Sequence, residues 1–123
     1  MIGYTTVGTN NLEKASQFYD EVFAELGAKR MMADDHITIW ATKPGQGMFA
    51  VITPHNKEPA TVGNGVMVAI KAPDLATIKK LHEKVLELGG SDEGAPGPRG
   101  DSMSFGYARD LDGNKIAFYC MNK

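Results

Sequence analysis

An α+β fold of two tandem βαβββ modules, forming a curved sheet around a cleft, is what this sequence predicts. Three observations predict it. Two amphipathic helical stripes are each preceded by one strand-like run and followed by further strand-like runs. The second stripe repeats the first at an offset of 63 residues. Glycine and proline cluster between these segments and are absent from both stripes.

Residues 2–8 carry Ile2, Tyr4, Thr5, Thr6 and Val7, a composition suited to a strand. Asn10 and Asn11 offer N-cap side chains, and Leu12, Ala15, Phe18, Tyr19, Val22, Phe23 and Leu26 follow at helical spacing up to Gly27. Three strands are expected next, over Lys29–Ala33, Ile37–Thr42 and Met48–Thr53, with Asp34-Asp35 and Pro44–Gly47 as turns. Pro54–Gly65 reads as a linker. The order then restarts with a strand at Val66–Ile70, Asp74 as N-cap, and a stripe of Leu75, Ile78, Leu81, Val85 and Leu88 ending at Gly89-Gly90. Glu93–Gly100 reads as a Gly/Pro loop. Strands Met103–Arg109 and Lys115–Met121 flank an Asp112-Gly113-Asn114 turn. Offsetting by 63 places Leu12 on Leu75, Phe18 on Leu81, Val22 on Val85 and Gly27 on Gly90. The expected organisation is one domain over 1–123, its first module about 1–55 and its second about 64–122.

Composition narrows the function classes. A chain of 123 residues, 42% hydrophobic and 23% charged, suffices for one core and not for two ordinary domains. A net charge of −2 with no basic cluster argues against a nucleic-acid partner. No apolar run approaches the roughly 20 residues that span a bilayer, so no membrane partner is expected. A single cysteine, Cys120, and an N-terminus without a signal-peptide pattern point to a reducing, cytoplasmic location. Cys120 is expected under a helix as an inert small hydrophobe. There is no P-loop, dinucleotide fingerprint or nucleophile elbow.

The residues Asn11–Ala15 through Phe18-Tyr19 and Gly27, then Ala60–Gly65 with Val66–Ile70, and Ala72-Pro73-Asp74, recur in a known order. With Gly89-Gly90, Gly94–Arg99 and Arg109–Asn114 they make the sequence resemble the vicinal-oxygen-chelate superfamily, that of glyoxalases, bleomycin-resistance proteins and extradiol dioxygenases. The resemblance spans essentially the whole chain. It implies paired βαβββ modules with a ligand cleft, and commonly a homodimer. In metal-dependent members a His on the first strand of a module and a Glu on the last hold a divalent ion. The matching positions here are Tyr4 and Met67 on first strands, Ala117 on the final strand, and Phe49, to within a residue or two, in the first half. These side chains are not donors for such an ion, which requires imidazole or carboxylate groups. No metal and no cofactor are therefore expected, and no catalytic residue is assigned. His36, His55 and His82 show no ligand-like spacing and read as surface or structural residues.

Strand alternation places Tyr4 and Thr6, Phe49 with Val51 and Thr53, Met67 with Ala69 and Lys71, and Ala117 with Tyr119 and Met121 on the faces away from the helices. Trp40 and Tyr107 lie on strands whose facing alternation leaves open. Arg99 ends the Gly-Ala-Pro-Gly-Pro segment as a mobile cationic contact over the mouth. The expected ligand-binding set is thus Tyr4, Thr6, Trp40, Phe49, Met67, Arg99, Tyr107, Ala117 and Tyr119. The function expected is binding of a small apolar or aromatic molecule without a metal. The alternatives are a lyase- or dioxygenase-type enzyme with an atypical or absent metal, and an interaction module whose cleft is filled by its own side chains.

Overall fold

The computed structural model describes residues 1–122. The chain divides into two compact units, the first Met1–Gly63 and the second from Asn64 onward. The first contains β1 (Tyr4–Gly8), α1 (Leu12–Ala24), β2 (Lys29–Ala33), β3 (Ile37–Ala41) and β4 (Met48–Ile52). The second repeats the order with β5 (Val68–Lys71), α2 (Leu75–Glu87), β6 (Ser91–Arg99), β7 (Met103–Arg109) and β8 (Lys115–Met121). Each unit has one four-stranded sheet, ordered β1-β4-β3-β2 and β5-β8-β7-β6. The first and last strands of each unit pair in parallel, and all other pairs are antiparallel. This is the α+β fold expected of two βαβββ halves.

Both helices begin at the expected caps. The side chain of Asn11 accepts the Lys14 N–H at 3.1 Å, and that of Asp74 accepts the Thr77 N–H at 2.8 Å. Gly27 at φ +70° and Gly89 at φ +103° turn the chain out of the helices, so the second reversal falls one residue before the position given by the repeat offset.

The two cores differ in kind. Under α1, Tyr19, Phe23, Trp40 and Phe49 form an aromatic cluster, with Tyr19–Phe49 centroids 4.8 Å apart and Phe23–Phe49 5.3 Å. All four rings are buried, and each contributes about 1.5–3 kcal/mol by leaving water. Under α2 the core is mainly aliphatic: Ile78, Leu81, Val85, Ile116 and Phe118 are fully buried. Gly106 lets α2 approach the sheet, since a Cβ there would lie 3.1 Å from Ile78 Cγ2. Cys120 is buried on this side, as alternation requires.

Two segments differ from expectation. β5 starts at Val68, because Gly65, at φ +93°, turns the chain and leaves Val66 exposed before the ladder begins. The segment read as a Gly/Pro loop is the greater part of β6, an edge strand with register shifts between Asp92 and Gly94 and between Gly94 and Gly97. An edge strand tolerates proline because one row of its N–H groups needs no ladder partner, and the irregularities absorb the remainder. Among the described residues no helix is long and apolar enough to cross a membrane.

Candidate functional site

The helix-free face of the second sheet is set by β7. Ser104, Gly106 and Ala108 pair with Cys120, Phe118 and Ile116 and point toward α2. Met103, Phe105, Tyr107 and Arg109 must then point the other way, beside Met121, Tyr119, Ala117 and Lys115 of β8. Three rings meet there. Phe105 and Tyr107 stack at 5.6 Å with planes only 3° apart, and Phe105 and Tyr119 stack at 5.8 Å. These aromatics are not core residues. All three are half-buried and lie on a face the helix does not cover.

Cations border the platform. The Arg99 guanidinium lies 5.7 Å from the Tyr107 centroid and the Lys115 ammonium 5.4 Å from it. Arg99 is held by its own strand: it donates to the Ala95 carbonyl at 2.7 Å, to Gly97 at 3.0 Å and to Pro98 at 3.1 Å. Gly94 is required where β6 crosses Tyr107, since a Cβ there would meet Cδ2 of the ring at 2.8 Å. The Gly-Ala-Pro-Gly-Pro segment, expected to carry a mobile arginine, gives that arginine backbone acceptors. It folds three carbonyls around the guanidinium and fixes it over an aromatic ring. Lys71 of β5 lies in register with Tyr119 and adds a third positive charge. Arg109 donates to Glu93, whose carboxyl this contact holds below its usual range.

The first unit's helix-free face corrects part of the expectation. Tyr4 and Thr6 of β1 lie on it, opposite Met48 and Ala50. Phe49 does not: it packs on Tyr19 and Phe23 beneath α1, and Val51 shares that side. Trp40 is also on the helix side, 2% exposed, with its indole N–H donating to Asp20 at 2.9 Å. The register of β4 is thus one residue from that expected, and in a strand one residue exchanges the faces. The missed signal was parallel pairing. Ala50 pairs with Thr6 as Ala117 pairs with Ala69, so Phe49-Ala50-Val51 is the counterpart of Ile116-Ala117-Phe118. Phe105 was missed as well, although alternating large residues with Ser104, Gly106 and Ala108 marked it.

The family's metal does not fit the residues present. The matching positions hold a phenol at Tyr4, a thioether at Met67, and methyl groups at Ala50 and Ala117. Among the described residues no group of three His, Cys, Asp or Glu side chains could hold an ion. His82 is buried and committed elsewhere, its Nε2 being 2.9 Å from Asp92 Oδ1. His36 and His55 line an unanticipated groove of about 670 Å³ in the first unit, together with Thr9, Asn10, Thr53 and Lys57. Its wall is the linker, fastened by reciprocal hydrogen bonds between the Asn10 amide and the backbone of Ala60.

The topology and the two halves define a member of a known class. The sequence profile of the Glyoxalase/Bleomycin resistance protein/Dioxygenase superfamily matches residues 1–118, and the chain belongs to that family. A glyoxalase/bleomycin resistance protein from Albidiferax ferrireducens T118 is 33% identical, with a TM-score of 0.90 over 98% of both chains. A lactoylglutathione lyase from Agrobacterium tumefaciens shares the fold at 21% identity and a TM-score of 0.70, over 98% of this chain and 92% of that one. The fosfomycin resistance protein FosX from Mesorhizobium loti does so at 20% identity and 0.67, over 98% and 90%. Curated proteins offer no match.

Proposed function

We propose that this protein binds a small aromatic molecule on the helix-free face of its second sheet, using Tyr107, Phe105 and Tyr119 as a stacking platform. One observation carries the reading. In the first unit the aromatic cluster lies beneath the helix, whereas in the second three stacked rings occupy the opposite face. Rings in that position are half-buried and lie outside the helix–sheet core, and a ligand ring packed against them would add about 0.5–1.5 kcal/mol per pair beyond burial. Met67, at a position where metal-dependent relatives carry a ligand, is apolar and exposed and suits the same occupant, whereas Ala117 is fully buried where it pairs with Tyr107 and offers it no surface. Arg99 beside the platform belongs to the proposed set; Trp40 and Phe49, packed beneath α1, do not. The protein acts in this reading as a cytoplasmic homodimer, in line with its family.

Calorimetric titration with naphthalene derivatives tests this reading. We expect saturable binding, weakened about tenfold by Tyr107→Leu, which keeps the apolar bulk and removes the ring. Absence of heat with every naphthalene derivative, at protein concentrations near a millimolar, would refute it.

A further inference from the structure

We infer that the ligand is a planar aromatic anion, its ring on the Tyr107 platform and its carboxylate or similar acid group between Arg99 and Lys115. This rests on the aromatic-ligand reading and adds the charge of the occupant.

The argument is charge segregation within the second unit. Lys71, Arg99, Arg109 and Lys115 all lie on the helix-free side, by register or by their position over Tyr107. Against these four cations the face brings one carboxylate, Glu93, and Arg109 binds it. The other carboxylates of the unit are elsewhere: Glu83 and Glu87 on α2, Asp92 on His82, and the rest at the α2 cap or in turns. Among the described residues Lys71, Arg99 and Lys115 therefore form no ion pair. The whole chain carries a net charge of −2, so a surplus of positive charge here is a local arrangement rather than a general one.

The placement of Arg99 supports the same occupant. Carbonyl acceptors satisfy part of its five-donor fork without neutralising it, and they fix it beside the ring. An anion stacked on Tyr107 meets a guanidinium and an ammonium already in place, which lowers the ordering cost of binding. A cationic ligand would face Lys71 and Arg99, which have no carboxylate partner, and Lys115, which Glu93 offsets only in part, whereas a neutral one would gain the stack alone.

Three matched probes separate the possibilities: naphthalene-2-carboxylate, naphthalene-2-carboxamide and naphthalen-2-ylmethylammonium, titrated calorimetrically at low and at 0.5 M salt. The expected order is carboxylate, then amide, then ammonium. The carboxylate should bind about tenfold tighter than the amide at low salt, with the advantage shrinking at high salt as the exposed charges are screened. The double variant Arg99→Gln/Lys115→Gln should bring carboxylate and amide to within about threefold. Lys79→Gln, an exposed lysine on α2, should leave the order intact. Circular dichroism melting of the double variant guards against misreading a folding defect. Equal binding of carboxylate and amide, or preference for the ammonium, overturns this inference and leaves the aromatic-ligand reading standing. Failure of all three probes removes both. Self-association abolished by the double variant and unaffected by any probe would assign the face to a second copy and overturn the proposal.

Discussion

Asp20 shows how much one side chain holds together. From α1 it accepts two hydrogen bonds from Arg30 of β2, at 2.9 and 2.7 Å, and one from the Trp40 indole of β3 at 2.9 Å. The Arg30 bond chiefly holds its carboxyl below the ordinary value of 3.8, partial burial opposes that, and the indole N–H adds to the lowering. A carboxyl whose folded pKa lies below its unfolded one stabilises the fold fully above the unfolded value. The contribution is lost as pH falls through the folded value. Asp20→Asn keeps an oxygen for the indole and removes the charge. Since the Asp20 and Arg30 side chains are 40% and 41% exposed, we expect a loss of about 0.5–1 kcal/mol at pH 7. The difference from the parent should shrink below pH 3.8. Urea denaturation at pH 7 and pH 3 measures both. A penalty that grows on acidification would contradict this account. At this scale the sequence was only partly legible: nothing local in Asp20, Arg30 and Trp40 announces that they meet, because the contact depends on the β2–β3 hairpin folding back on α1.

At the scale of elements, caps, stripes and stops were written plainly, and strand register was not. Asn11 and Asp74 lie where expected because a cap needs only its own following turn. The register of β4 depends on its parallel partner β1, some forty residues away, so one-strand alternation could not choose between Phe49 and Ala50. Local composition also misread β6, for Gly and Pro count against a strand unless its edge position is known; the repeat, applied beyond the helices, places Asp92 opposite Lys29 of β2. Glycines at the helix ends now separate by mechanism. A Cβ at Gly90 would lie 2.5 Å from both the Arg109 carbonyl and Val85 Cγ1, contacts that α2 and β7 must move to relieve. A Cβ at Gly27 meets nothing within 4 Å and carries only the cost of φ +70°. Gly90→Ala should therefore destabilise by about 2–3 kcal/mol and Gly27→Ala by about 1 kcal/mol. Chemical denaturation that ranked them in reverse would place the constraint in the backbone dihedral instead of in packing.

For the whole molecule, the order of elements and the 63-residue repeat were legible because two copies of one pattern reinforce each other. The face that carries the candidate site was less so, since Phe105 belongs to it only through its stacks with Tyr107 and Tyr119. Apolar side chains remain uncovered on the first unit, with Ile2 61%, Met31 56% and Met32 48% exposed. A homodimer would bury such residues, and sedimentation equilibrium should then give about twice the 13.3 kDa chain mass, with dissociation on dilution. A constant single-chain mass up to millimolar concentration would rule the dimer out.

The single tryptophan, Trp40, is sealed in the first unit, clamped by a carboxylate and ringed by Tyr19, Phe23 and Phe49. Its ultraviolet emission is thus a natural lamp for one half of the chain, reddening when that half opens to water. Circular dichroism, by contrast, sums both halves, so a mismatch between the two signals during unfolding would reveal whether the halves come apart in turn or together.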